Sequence, residues 1–342
     1  MRKILIIILS LVLAGAVTLA LVYSISGGLW MPTKATTQTT TQESPVIPTA
    51  PSTEAPTELS TEPATEPATE PPTEPLLDPP DMGEATAKHA FVYDVDAGRM
   101  LFTWGDQHQR IEPASLTKLF TAYVAMQYLE PDAVVVVGEE AGWIAWDSTV
   151  AAVDPGCVLT VRMILQGMMM QSGNDAAYAL AVAAGRVIAN DPYLYARAAL
   201  DIFLEEMNYQ LQELGLSNTH FNSPDGYHDD DHYTTAADLM QIALLAMQEP
   251  LIVEYAGVDR TLVTYLSGQQ YMWKNTNWLL DEENEYYCPE ATGLKTGATS
   301  RAGKCVIATF ETEQTTLLIG VLGCEDWEDR FAETVLLFEH YR

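Results

Sequence analysis

At 342 residues with 48% hydrophobic composition, the chain holds enough apolar material for one large domain or two modest ones. A formal charge of −30 argues against nucleic acid as a partner, because a polyanion-binding face needs clustered Lys and Arg. The acidity is not confined to one tail: residues 1–84 carry ten acidic and three basic groups, which leaves 37 acidic against 14 basic in residues 85–342. Solubility is the plain reading of that excess.

Taken in chain order, Met1-Arg2-Lys3 precede an apolar run at 4–25, about the 20 residues that cross a bilayer. The two cations place the N-terminus in the cytoplasm by the positive-inside rule. A cleavable signal peptide is the alternative, although its apolar region usually spans only about 7–15 residues. Position 16 is Ala16, so no cysteine offers a lipoprotein linkage. The length favours an uncleaved anchor over residues 1–31, with membrane attachment and an extracellular globular part.

Residues 32–84 are rich in Thr, Pro and Glu. Glutamates recur every four residues at Glu54, Glu58, Glu62, Glu66, Glu70 and Glu74, but Pro63, Pro67, Pro71, Pro72 and Pro75 forbid a helix. The composition predicts an extended, self-repelling stalk reaching on the order of 150 Å at about 3.1 Å per residue.

The globular part is expected over 85–342. A hairpin is predicted at 90–95 and 100–103, around Asp96-Ala97-Gly98. A helix at 115–129 is entered through Pro113. Further helices are predicted at 161–170, 176–189, 195–214 and 236–247. Sheet-like alternation follows at 261–265, 293–296, 305–310 and 316–323, and an amphipathic helix at 330–341 is expected to cover that sheet. The order predicts a mixed α/β domain, with an antiparallel sheet flanked by helices and an all-helical subregion. Cys157, Cys288, Cys305 and Cys324 lack metal-ligand spacing. They are expected as small buried hydrophobes, with one disulfide left open. The run Met168-Met169-Met170 reads as core, and Trp143, Trp146 and Trp278 read as packing or as cleft lining.

Three short stretches carry chemistry. Ser115 and Lys118 stand three apart at a predicted helix start and so share a face. The amine then reaches the hydroxyl, which needs a neighbouring base to become a nucleophile. Unpaired amides at the helix start favour a developing oxyanion beside it. Ser172-Gly173-Asn174 falls between two predicted helices: a hydroxyl there relays a proton and an amide holds a carbonyl, or Asn174 or Asp175 simply caps the helix. Lys295-Thr296-Gly297 lies in a strand pattern. An edge strand pairs with an extended peptide, both side chains face the cleft to meet a carboxylate, and Gly297 permits close backbone approach. Lys118 and Lys295 converge in this reading. Two close ammonium groups disfavour double charge, so Lys118 is expected partly neutral.

In this order the three stretches resemble the S-x-x-K, S-D-N and K-T-G set of penicillin-binding proteins and class A β-lactamases. Their surroundings, Pro113-Ala114-Ser115-Leu116-Thr117-Lys118, Ser172-Gly173-Asn174-Asp175-Ala176-Ala177, FNSPDG at 221–226 and GLKTGAT at 293–299, resemble the low-molecular-mass D-alanyl-D-alanine carboxypeptidases over nearly all of 88–342. The resemblance implies a β-lactamase/transpeptidase-like fold without metal or other cofactor. It implies an enzyme that trims the terminal D-Ala from peptidoglycan stem pentapeptides, with β-lactam antibiotics as covalent inhibitors. Carried over by position, Ser115 is the acylated nucleophile, Lys118 its base and Ser172 a proton relay. Asn174 is a substrate or Lys-positioning contact. Lys295 and Thr296 meet the terminal carboxylate, and Arg330 matches a carboxylate-binding arginine. The amides of Ser115 and Ala298 form the oxyanion hole.

Many relatives add a C-terminal β domain and a membrane-binding tail, for which residues up to 342 leave no room, so attachment is expected at the N-terminus. The loop His228-Asp229-Asp230-Asp231-His232 suggests a metal site in isolation, but the resembled loop is also rich in His and Asp without holding metal. Three other activities stay in view. A D,D-endopeptidase uses the same scaffold. A class A-like β-lactamase needs a deacylating glutamate, which Glu213-Leu214-Gly215-Leu216-Ser217-Asn218 imitates with one residue too many. A non-catalytic wall-binding module has no need of Ser115, Lys118, Ser172 and Lys295 together.

Overall fold

A computed structural model describes residues 79–342; the expected anchor, and the expected stalk as far as residue 78, lie outside the described residues. The chain opens with strands β1 (His89–Asp94) and β2 (Arg99–Trp104), and a 3₁₀ turn (Ala114–Leu116) leads into helix α1 (Thr117–Met126). Two short strands, β3 (Val134–Val136) and β4 (Val158–Thr160), form a ribbon before helices α2 (Val161–Met170), α3 (Asn174–Ile188), α4 (Ala196–Glu213), α5 (Ala236–Ala246) and α6 (Pro250–Ala256). A second ribbon, β5 (Arg260–Thr264) with β6 (Gln270–Lys274), precedes strands β7 (Ala291–Thr299), β8 (Gly303–Glu311) and β9 (Thr316–Cys324), and helix α7 (Asp329–Tyr341) closes the fold.

Local chemistry sets the helix starts. Thr160 caps α2 by accepting from Met163 N, and Thr235 caps α5 by accepting from Asp238 N at 3.0 Å. Pro250 opens α6, where its missing N–H costs no helical bond.

The main sheet runs β2-β1-β9-β8-β7 with every pairing antiparallel, so β7 is an edge strand. Its two faces bury separate cores, as the two-residue period of a strand requires. Ile307, Cys305 and Leu318 join the core shared with α1–α6. Val306, Ala308, Phe310 and Ile319 pack instead beneath α7 with Phe331, Leu337 and Phe338. The Phe310 and Phe338 rings stack with centroids 4.2 Å apart; truncating such a buried ring costs about 3–5 kcal/mol. Helix α7 thus covers the sheet, as its sequence pattern predicts. Met82, which the sequence assigns to the stalk, is buried in this second core. Thr86 beside it donates its N–H to Glu333 of α7 at 2.7 Å, so the folded body begins earlier than its composition suggests. All four cysteines are free thiols and buried.

Candidate active site

The nucleophile turn is held from three sides. Ala114, just before Ser115, adopts φ 50°, a left-handed conformation that strains a residue with a Cβ. Gly226 backs it from below: a Cβ there would stand 1.9 Å from the Ala114 carbonyl oxygen, and φ +82° suits glycine alone. Gly297 of β7 backs it from the sheet, where a Cβ would meet Ser115 N at 3.1 Å and Ala114 Cβ at 3.2 Å. The close approach read into the third stretch is therefore made to the chain's own Ser115 turn. From the third side, Asn222 N donates to His232 Nδ1 at 3.2 Å, which leaves Nε2–H to donate to Thr117 Oγ1 at 2.9 Å. Thr117 in turn donates to the Ala114 carbonyl at 2.9 Å. Burial pushes His232 down to about 3, so its ring stays neutral and this chain keeps one direction.

Lys118 is fully buried and makes three contacts through Nζ: Ser115 Oγ at 2.8 Å, Asn174 Oδ1 at 2.7 Å and the Asp225 carbonyl at 2.7 Å. Two of these partners are pure acceptors and fix two N–H bonds. The third position, facing Ser115, is an N–H when the amine is charged and a lone pair when it is neutral. Burial pushes the amine down to about 8, against the opposing pull of Asp225 and Asp175. About one amine in ten is then neutral at pH 7. Burial, rather than repulsion from Lys295, is the leading cause. The repulsion falls on Lys295, which is held well below the usual lysine range by burial first and then by Lys118 and Arg330.

Asn174 thus contacts the lysine instead of capping α3, whose N-cap is Gly173. Its Nδ2 donates to Ser148 Oγ at 2.8 Å. Asp175 accepts from Ala151, Val153 and Ala176 amides and pins the 147–153 segment beside the site. Ser172, at φ 56°, is also strained; its carbonyl accepts from Thr149 Oγ1 at 2.8 Å, and its hydroxyl makes no hydrogen bond among the described residues.

A polar cleft of about 120 Å³ opens over Ser115, lined by Asp147, Ser148, Thr149, Asn174, Tyr227 and His228 on one side and by Ala298, Thr299 and Ser300 of β7 and its turn on the other. Lys295 and Thr296 do not line it together. Lys295 pairs in register with Ile307 on the helix-facing side and Thr296 with Val306 on the other, because neighbouring strand residues alternate. Lys295 Nζ donates to the Thr296 carbonyl at 3.0 Å, and the Thr296 hydroxyl is bonded to that of Thr276 at 2.6 Å. Arg330 departs further from expectation. It is buried to 3% exposure beneath β7 and β8, with Nη1 donating to the Gly297 and Cys305 carbonyls at 3.3 Å each and its plane against Trp327 and Phe331. The guanidinium holds the strand from below instead of standing in the cleft wall. Near the start of β7, Asn277 Nδ2 donates to the Gly293 carbonyl at 3.0 Å.

The His228–His232 loop is spent on structure: His232 points inward, and Asp230 accepts from Arg301 at 2.9 Å. Among the described residues no group of three or more His, Cys, Asp or Glu is placed to hold a metal. Sequence reasoning missed Asp225, Ser148, Thr276 and the role of His232. Only the run at 221–226 signalled that part of the wall.

The sheet, its helices and the Ser115–Lys118 pair at a helix entrance beside an edge strand define a fold of the β-lactamase/transpeptidase type. Residues 74–326 match the D-alanyl-D-alanine carboxypeptidase family, peptidase S11, and the chain belongs to that family. It is 26% identical over 258 residues to the D-alanyl-D-alanine carboxypeptidase DacF of Bacillus subtilis, covering 74% of this chain and 61% of that protein. The chain thus spans about three-fifths of the curated relatives it matches. The Streptomyces K15 DD-transpeptidase superposes with a TM-score of 0.67 at 28% identity, over 75% of this chain and 97% of that one. Ampicillin-bound penicillin-binding protein D2 of Listeria monocytogenes superposes with 0.60 at 27% identity, over 75% and 98%.

Proposed function

We propose that the chain is a serine-type D-Ala–D-Ala carboxypeptidase that removes the terminal D-Ala from peptidoglycan stem pentapeptides through an acyl-enzyme at Ser115. The observation that carries this reading is the Lys118 amine, with two N–H bonds spent on Asn174 and Asp225 and its remaining position 2.8 Å from Ser115 Oγ. In this reading neutral Lys118 takes the Ser115 proton as the oxygen attacks the penultimate D-Ala carbonyl. The amides of Ser115 and Ala298 receive the oxyanion. Ser172 passes the proton on to the departing D-Ala nitrogen, and water then hydrolyses the ester. Arg330, charged beneath β7, draws the terminal carboxylate to the strand through its field, Lys295 on the opposite face of β7 adds to that field when it is protonated, and Thr296 supplies a hydroxyl there. β-Lactams enter as mimics of the same peptide end and acylate the same oxygen.

The test is labelling with a fluorescent penicillin and mapping of the adduct, together with mass spectrometry of a pentapeptide after incubation. An adduct on Ser115 and loss of one D-Ala are expected, and Lys118→Arg, which keeps charge but cannot act as the base, is expected to lower acylation at least a hundredfold. An adduct elsewhere, or an intact pentapeptide, rejects the reading. The likeness to a DD-transpeptidase supports a second outcome for the same acyl-enzyme, transfer to an amine instead of water, which added amino acids in the assay reveal as a new peptide. We place the domain outside the cytoplasm, tethered by residues 1–31 through the stalk. Fractionation of cells making the full chain tests this, and a wholly soluble, cytoplasmic product contradicts it.

A further inference from the structure

Trp146 is 95% exposed, the highest value among the described large hydrophobic residues. It stands at the tip of the turn Ala145–Ser148, closed by Ser148 N–H donating to the Ala145 carbonyl at 3.1 Å. Turn tips normally carry Gly, Asn, Asp or Pro. An indole there holds on the order of 200 Å² of mostly apolar surface in water. Singly scattered surface hydrophobes need no explanation, but this one directly precedes a wall of the cleft. Its three successors, Asp147, Ser148 and Thr149, line the catalytic cleft.

The turn is clamped from below by the residues that hold the catalytic lysine. Asn174 donates through Nδ2 to Ser148 Oγ at 2.8 Å and through its amide to the Thr149 carbonyl at 2.9 Å. At the residue after Trp146, Tyr227 OH donates to Asp147 Oδ1 at 3.0 Å. A flat apolar face carried one residue from a carboxylate that holds a phenol suits a pyranose ring. The C–H face of the sugar stacks on the indole, while hydroxyl and acetamide groups meet the polar atoms.

We propose that Trp146, with Asp147 and Tyr227, is a stacking subsite for the amino-sugar that bears the stem peptide. This rests on the carboxypeptidase reading, because the stem then runs from the cleft towards its sugar. Four extended residues span about 13 Å. The turn tip lies two residues, about 7 Å of chain, beyond Ser148, which is itself two hydrogen bonds from Lys118. The subsite makes the enzyme distinguish wall-linked stems from free peptides.

The test compares the full-length wild-type chain with Trp146→Ala and Trp146→Phe on two substrates: a bare acyl-peptide ending in D-Ala–D-Ala, and the same peptide on its N-acetylated disaccharide. Trp146→Ala is expected to raise KM about tenfold on the disaccharide substrate only, with kcat on both within about twofold and Trp146→Phe recovering most of the loss. No change, or an equal change on both substrates, overturns the proposal. A second readout does not depend on hydrolysis. The disaccharide alone is expected to quench part of the fluorescence of the seven tryptophans in wild type but not in Trp146→Phe, and identical titrations of the two overturn it. If neither substrate is cleaved while the quenching difference persists, the carboxypeptidase reading fails and the sugar subsite stands.

Discussion

Replacing Asn174 by Asp puts a negative charge where a neutral oxygen now accepts from Lys118 Nζ at 2.7 Å, with almost no change of shape. Two unit charges 4 Å apart at an effective dielectric of 20 attract by about 4 kcal/mol, which is about three pK units. The new carboxylate is itself buried, which offsets part of this, so about two units is the expected net shift. The lysine then moves from about 8 to about 10. The base works as the neutral amine, so a raised pKa removes active enzyme at low pH and returns it at high pH. At pH 7 the neutral fraction drops from about a tenth to about a thousandth, and acylation falls about a hundredfold. The assay is the second-order rate of acylation by a β-lactam, followed from pH 6 to 10.5. Wild type is expected to rise through about 8 and level off, and Asn174→Asp to rise about two units later and approach the same plateau. A midpoint that stays near 8 in the variant, or a loss of equal size at every pH, refutes the assignment of Lys118 as the base.

Gly297→Ala places a Cβ 3.1 Å from Ser115 N and is expected to lower acylation about tenfold by shifting the nucleophile; rates equal to wild type would show that this contact does not position it. His232 is held neutral down to about 3 by burial, so between that value and the free-histidine value near 6.5 the unfolded chain binds a proton that the folded one refuses. Its share of stability is therefore present above about 6.5 and drains at about 1.4 kcal/mol per pH unit below it; urea unfolding at pH 7, 6 and 5 should show that part of the slope missing in His232→Gln. Arg330→Ala is expected to lower kcat/KM about tenfold on a free-acid D-Ala–D-Ala peptide and much less on its C-terminal amide; equal losses on both would limit Arg330 to supporting β7.

What was legible in the chain followed from contiguity. Ser115 and Lys118 sit on one face because three residues make nearly a helical turn, and the long apolar periods placed α2, α4, α5 and α7 to within a few residues. The predicted helix start at 115 becomes a 3₁₀ turn with Ala114 in a left-handed conformation, for which Gly226, a residue 112 positions away, leaves the room. Strands β3 and β4 are three residues each, too short to show a period, and β6 runs Tyr271-Met272-Trp273 without alternation although only Trp273 is buried. The partners of Lys118 were half hidden for a different reason: Asp225 serves through its backbone carbonyl, which any residue type supplies. Assigning Lys295 and Thr296 to one cleft wall overlooked strand alternation. The depth of Arg330 depends on α7 docking under the sheet, which no local pattern encodes.

The position of β7 at the edge of the main sheet bears on how this protein behaves at high concentration. A nine-residue edge strand with its amides open is a template for the same strand of another copy, the first step towards domain swapping or fibres. Here Asn277 occupies the Gly293 carbonyl, and the remaining stretch at Ala298 and Thr299 opens only into a narrow cleft. A cleft of about 120 Å³ there suits a short extended peptide end better than a strand carried on a folded domain.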